Sequence, residues 1–144
     1  MGSRIGPLDD AVVAEILREA GLRATVGRRQ IIKSLAALGH ATPDEVFAHT
    51  SAIVPGLNLS TVYRTLETLA EVGLAFHAHL AGTTRSYYLA GEQEHAHLVC
   101  DSCGSVAELA GPPLRRFIAS VAKTQEFELQ PGHLAIHGRC GNCR

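Results

Sequence analysis

Residues His95-Ala96-His97-Leu98-Val99-Cys100-Asp101-Ser102-Cys103 set two imidazoles two positions apart and then two thiols three apart. A second Cys-x-x-Cys follows at Cys140 and Cys143. On an extended strand, residues i and i+2 share a face, so His95 and His97 present their rings side by side. Two Cys-x-x-Cys turns each supply two soft ligands with the bite that tetrahedral zinc requires. Cys100, Cys103, Cys140 and Cys143 are therefore the predicted ligands of a structural zinc. Such a site staples distant parts of a chain together and keeps no open position for catalysis. The competing reading is a redox pair or four unrelated thiols. A cytoplasmic chain keeps its cysteines reduced, which favours zinc over disulfides.

The chain holds eight histidines, many for 144 residues. His77-Ala78-His79 forms a second alternating pair, His40 follows Gly39, and His133 stands apart. A lone histidine is usually a core or surface residue, but two His-x-His pairs on predicted strands point to metal. His49 and His137 have no such pairing and read as structural or surface residues. Imidazole-rich sites suit Ni(II), Zn(II), Cu(II) or Co(II), whereas Fe(II) and Mn(II) more often include carboxylate oxygen.

These side chains need elements to position them. Apolar spacing at Val12, Val13, Ile16 and Leu17 predicts a helix over Asp9–Glu19, ended by Gly21. Thr25 caps a second helix carrying Ile31, Ile32, Leu35 and Leu38, ended by Gly39. Thr42-Pro43-Asp44-Glu45 combines N-cap, N1 proline and capping box, so a short third helix runs toward Thr50. A fourth begins near Asn58–Thr61, buries Val62, Leu66 and Leu69, and stops at Gly73. The period then alternates. Leu74–Leu80 and Arg85–Leu89 form a predicted hairpin about Ala81–Thr84. Ala90–Glu94 is a predicted hinge. Beyond it come strands Ala96–Cys100 and Ser105–Leu109, a helix from Pro112-Pro113 to about Thr124, and short strands at Phe127–Leu129 and His133–Gly138. The predicted class is α+β: a winged helix-turn-helix domain over residues 1–89, a hinge at 90–94, and a small α+β domain over 95–144.

A short helix, a turn, a capped helix and a hairpin make the winged helix-turn-helix pattern, whose last helix enters the DNA major groove. Ser60, Thr61, Tyr63 and Arg64 are its exposed candidates. Arg64 suits phosphate or guanine, and Tyr63 suits a sugar or a thymine methyl. Arg23, Arg28, Arg29 and Lys33 form a basic cluster fit to rest on the DNA backbone. A plain helical bundle with solvated arginines is the bland counterpart. Charge does not decide between them, since 13 Lys and Arg face 14 Asp and Glu. No apolar run reaches the roughly 18 residues of a membrane span, and the first residues lack a signal-peptide pattern. A metal-dependent hydrolase would need an open zinc and a general base, and no His-Glu-x-x-His or similar constellation occurs. A metal buffer would leave the Ser60–Leu66 helix and the wing without a role. Neither an enzyme nor a small organic substrate is expected.

Over nearly its whole length the chain resembles the Fur family of metal-responsive bacterial repressors. The resemblance lies in Gly21-Leu22-Arg23-x-Thr25, Ser60-Thr61-Val62-Tyr63-Arg64-Thr65-Leu66, His95-x-His97-Leu98-Val99-Cys100-x-x-Cys103-Gly104 and Gly138-Arg139-Cys140-x-x-Cys143. It implies a C-terminal dimerisation domain, structural zinc at the thiols, and a regulatory metal near the hinge that closes a homodimer onto a palindromic operator. Iron-sensing members carry Glu where this chain has Tyr88. Peroxide sensors carry Asp, and actinobacterial zinc sensors Cys, where it has Leu89. The histidine pattern resembles the nickel-responsive Nur branch. By that likeness His40, His95 and His97 form the hinge site, and His77, His79 and His133 a second, more nickel-specific one. The chain has Gln93 and Glu94 where that branch has further histidines, and Glu94 is the candidate fourth hinge ligand. The expectation is a cytoplasmic, nickel-responsive repressor. A zinc- or iron-responsive one is the alternative, iron the less favoured metal.

Overall fold

Asp9, Thr25, Thr42 and Asn58 each stand in extended backbone immediately before a helix, and each side chain accepts a hydrogen bond from the first turn. These caps satisfy amide groups that the helix itself leaves without partners. The computed structural model describes residues 8–81, 84–91 and 94–144. The hairpin turn at Gly82 and Thr83 and the hinge residues Glu92 and Gln93 lie outside the described residues. The helices are α1 (Asp10–Glu19), α2 (Val26–Leu38), α3 (Pro43–Ser51) and α4 (Leu59–Glu71). Strands β1 (Ala75–Ala81) and β2 (Thr84–Leu89) then form a two-stranded sheet. This is a winged helix-turn-helix.

Val13, Leu17, Ile31, Leu35, Val46, Val62, Leu66 and Leu69 are fully buried together with Ala75 and Tyr87 in one core cluster. The α1 stripe differs from expectation. Ala14 is buried and Val12 is half exposed, so the buried face runs through Val13, Ala14 and Leu17. At about 100° per residue, Ala14 lies roughly 60° round the helix from Leu17 and Val12 roughly 140° from it, so Ala14 and not Val12 falls on the buried face. The base of the hairpin is bound to the helical core by paired backbone bonds between Ala41 and Tyr87, at 3.0 and 2.8 Å, and by the Ala90 amide on the Leu74 carbonyl at 3.0 Å.

The later residues build a mixed sheet in the order β4-β3-β5, from β3 (His95–Cys100), β4 (Val106–Ala110) and β5 (Ala135–Gly138). β4 runs antiparallel to β3, and β5 parallel to it. A parallel neighbour needs a long crossover. The connection contains α5 (Gly111–Gln125) and a single 3-10 turn at Pro131–His133. Central β3 buries Ala96, His97, Val99 and Cys100. Two predicted strands are corrected. Phe127–Leu129 has no regular structure, and Phe127 is exposed. The strand expected from His133 begins at Ala135, because Pro131 opens the turn that holds His133.

The described residues divide into two compact units. One runs to His77 and includes Ser86–Ala90; the other comprises Ala78–Arg85 and Gly91–Arg144. The division passes through the hairpin, between His77 and Ala78 and between Arg85 and Ser86, and again after Ala90. No described helix is long and apolar enough to cross a membrane.

Candidate metal centre and nucleic-acid interface

Four thiols converge in the second unit. Cys100 ends β3, Cys103 closes the turn after it, and Cys140 and Cys143 form a matching turn after β5. The parallel register pairs Cys100 with Gly138, which delivers the second turn beside the first. The Sγ atoms all lie within 4.8 Å of one another. Cys103 and Cys140 are 3.8 Å apart, far beyond the ~2.05 Å of a disulfide. A tetrahedron with zinc–sulfur arms of about 2.3 Å has edges of about 3.8 Å. The donor set thus fits zinc in type, number and spacing.

Its electrostatics point the same way. The Cys140 amide donates to Cys100 Sγ at 3.3 Å. With the amides of Cys103 and Ser102 it lowers the Cys100 thiol to about 6. Ser105 lowers Cys103. Cys143, facing Cys140, Cys103 and Cys100, is pushed up to about 12. The backbone invites thiolate at one corner, and the accumulated sulfurs oppose it at another. A divalent cation reconciles them, because it lets every thiol ionise.

Also in the second unit, the rings of His95 and His97 meet edge to face, centroids 4.9 Å apart. His97 is wholly buried and His95 partly so. The bond from the His97 amide to the Leu134 carbonyl, 2.9 Å, holds the strand in place. Glu94 is exposed, and its carboxylate forms no group within 4.8 Å with these two imidazoles. Successive residues of an extended chain point to opposite faces, so Glu94 and His95 diverge. His79 and His133 are exposed, and neither joins a group of three ligands within that unit. In the first unit, His40 is half-buried and its ring lies 5.0 Å from that of Tyr88. Tyr88 is buried, which pushes its phenol up to about 12, so it stands as a neutral aromatic wall. His77 packs on Tyr87 at 5.6 Å.

The outer side of α4 carries the candidate DNA contacts. Val62, Thr65, Leu66 and Leu69 face inward, while Ser60, Tyr63 and Arg64 are exposed and Thr61 is half-buried. Asn58 Oδ1 accepts from the Ser60 hydroxyl at 2.7 Å, the Thr61 hydroxyl at 2.9 Å and the Thr61 amide at 2.9 Å. Arg64 Nε donates to the Ser60 carbonyl at 3.4 Å. Of the four basic candidates, Arg29 and Lys33 are both paired with Asp10, at 3.0 and 3.3 Å. Arg28 donates to the Arg23 carbonyl at 3.2 Å, and Arg23 is exposed. Asp10 thus engages two of the four cations with a single negative charge.

Sequence reasoning missed three contacts. The Tyr63 hydroxyl donates to Asp44 at 3.2 Å. Tyr88 backs His40. Thr50 donates to Ser34 at 2.9 Å inside the core, and Ser34 also bonds His49 Nδ1 at 2.9 Å, which gives His49 a structural place. A polar residue on the buried stripe of α2 was the one available signal for the last.

The sequence profile described as the Ferric uptake regulator family matches residues 19–137. A ferric uptake regulation protein of Campylobacter jejuni is 33% identical over 132 residues, spanning 90% of this chain and 84% of its own. The peroxide-responsive repressor PerR of Staphylococcus aureus is 26% identical, spanning 89% of this chain and 86% of its own. The ferric uptake regulator of Pseudomonas aeruginosa, solved with manganese, superposes with a TM-score of 0.75 at 26% identity, over 90% of this chain and 98% of that one.

Proposed function

We propose, for a chain that belongs to the ferric uptake regulator family of metal-responsive transcriptional regulators, that the metal it answers to is nickel. The carrying observation is the donor set. Two imidazoles stand together on β3, and among the described residues no carboxylate joins them in a ligand group within 4.8 Å, although exposed Glu108 of β4 is the cross-strand partner of His97; the buried aromatic Tyr88 occupies the sequence position where iron-sensing relatives carry glutamate. A ligand set dominated by imidazole suits Ni(II), Zn(II) and Co(II) better than Fe(II) and Mn(II).

In this reading His95 and His97 of the second unit act with His40 of the first. When bound, the cation supplies bonds that tie the three imidazoles together. His40 is held by Tyr88, and the β3 pair is held by the sheet, so the rings are oriented in advance. Moving an equilibrium between open and DNA-competent forms from 1:99 to 99:1 takes about 5.5 kcal/mol of differential binding. Imidazoles that meet only in the competent form provide that difference. The competent form is a homodimer that sets two α4 helices about 34 Å apart, one DNA turn, on a palindromic operator. Ser60, Thr61, Tyr63 and Arg64 read it, while Arg23 and Arg28 rest on phosphates. The four cysteines hold structural zinc throughout. His77, His79 and His133 are the second, more nickel-specific histidine site of this reading. Zinc or iron sensing is the rival reading, favoured by likeness to a ferric uptake regulation protein.

The test titrates Ni(II), Zn(II), Fe(II), Mn(II) and Co(II) at buffered free concentrations, with zinc kept in the thiol site, and follows binding to palindromic promoter DNA. Nickel is expected to activate at the lowest concentration, and His95→Ala to weaken the response at least about tenfold, the loss of one ligand being worth that much or more. Equal or better activation by zinc or iron would overturn the nickel assignment. An unchanged response in His95→Ala would overturn the imidazole site.

A further inference from the structure

We propose that Asp44 is a positioning residue for Tyr63 and so governs how sharply the outer face of α4 distinguishes one DNA sequence from another. The inference rests on the reading of α4 as the DNA-facing helix. Tyr63 projects from α4 one position before Arg64 and is 37% exposed. Its hydroxyl reaches across to α3 and donates to Asp44 Oδ2 at 3.2 Å, a contact between residues 19 apart in sequence. The acceptor is fixed from below. Thr42 caps α3, Pro43 opens it, and Glu45 returns a carboxylate to the Thr42 amide at 2.7 Å. Asp44 therefore sits in a rigid first turn, where its charge also suits the helix N-terminus.

The bond changes what Tyr63 offers. A phenol has one proton to donate. With that proton on Asp44, Tyr63 has none for a phosphate oxygen. What it turns outward is its ring, which suits a thymine methyl or a sugar, together with one oxygen lone pair. The phenol stays neutral, since burial and Asp44 both hold it above its ordinary value. Asp44 adds a second effect, because an exposed carboxylate close to a DNA-facing helix opposes phosphate of any sequence. Sequence-independent affinity comes from neutralising phosphates, and Asp44 subtracts from it. One residue thus lowers background binding and aims the side chain that reads bases.

The experiment uses the full chain loaded with its metals and two duplexes. One is selected by the wild-type chain from a randomised library, and the other is a shuffled version of it. Fluorescence anisotropy gives both affinities at fixed salt. Asp44 is exposed and its charge at the start of α3 is a minor contribution to the helix, so Asp44→Ala keeps the fold with at most a small drop in urea midpoint, which serves as the check. Asp44→Asn keeps an acceptor for the phenol and removes the charge. Asp44→Asn is expected to bind both duplexes about threefold more tightly with their ratio preserved, as removal of one opposing charge predicts. Asp44→Ala is expected to gain on the shuffled duplex and lose on the selected one, so that the ratio falls about tenfold, within the range of one lost base contact. Tyr63→Phe should lower the ratio similarly, and the double variant Asp44→Ala/Tyr63→Phe no further. A purely structural role would weaken both duplexes together and never strengthen the shuffled one. A ratio preserved in Asp44→Ala but lowered in Tyr63→Phe would overturn the proposal and leave α4 as the reading helix. A ratio unmoved by Tyr63→Phe would overturn both the proposal and the placing of Tyr63 on DNA.

Discussion

Cys100 and Cys143 belong to one cluster yet titrate in opposite directions, and the contrast has a measurable consequence. Three amides lower the Cys100 thiol to about 6, while neighbouring sulfurs push Cys143 up to about 12. A value depressed on folding contributes stability above the ordinary thiol range, and that contribution is lost as pH falls through the folded value. A raised value works the other way, its contribution lost only as pH climbs toward 12. At neutral pH Cys100 is thus the thiol most readily ionised, and metal binding depends on deprotonated sulfur. Zinc release, followed with a chromogenic chelator, is expected to increase progressively as pH falls below neutrality, because protons compete with the metal for thiolate. Full release already at pH 7.5, or none at pH 4, would run against this assignment.

At the scale of the element, α3 shows how much rests on a few cap atoms. It has only nine residues, too short to be stable on propensity alone. Thr42 accepts the Glu45 amide at 3.3 Å, and Glu45 accepts the Thr42 amide at 2.7 Å. Thr42→Ala is expected to cost about 1 kcal/mol of stability, read as a lower urea midpoint with unchanged slope. Caps of this kind are local, and for that reason they are legible in sequence: Thr25, Thr42 and the α4 start all lie where their residue types indicate. The Cys-x-x-Cys and His-x-His spacings are local too, and so candidate ligands could be proposed before any fold was known. What could not be read depends on packing. Phe127–Leu129 is too short for alternation to mean anything, and it lies exposed. Val12 and Ala14 exchange places because a helical stripe can be phased two ways around Val13. Asp44 and Tyr63 meet only because α3 and α4 pack together, and no spacing of nineteen residues announces that.

For the whole molecule, the two units stand on different foundations. The first has a continuous apolar core of helix and hairpin residues. In the second, α5 fully buries only Leu114, and both ends of the chain segment return to the thiols. Structural zinc sites are worth about 10–16 kcal/mol in apparent binding free energy, comparable with the ~5–15 kcal/mol that holds a typical domain folded. Stripping zinc with a strong chelator is therefore expected to unfold residues 94–144 while α1–α4 persist, seen by hydrogen exchange as loss of protection at the His97 and Cys100 amides and its retention at Leu35 and Leu66. Loss of protection in both units at once would show that the helical core depends on the metal. The parallel pairing of β5 with β3 also carries a cost in time. β4 follows β3 after a short turn, but Gly138 is made 38 residues after its partner Cys100. At synthesis rates of about 5–20 residues per second, β3 waits roughly 2–8 s with one side open and a reactive thiol pair uncovered. During that interval Cys100 and Cys103 stand without the Cys140 turn that completes the four-thiol set, so the order of synthesis leaves half of a candidate metal site formed before the other half exists.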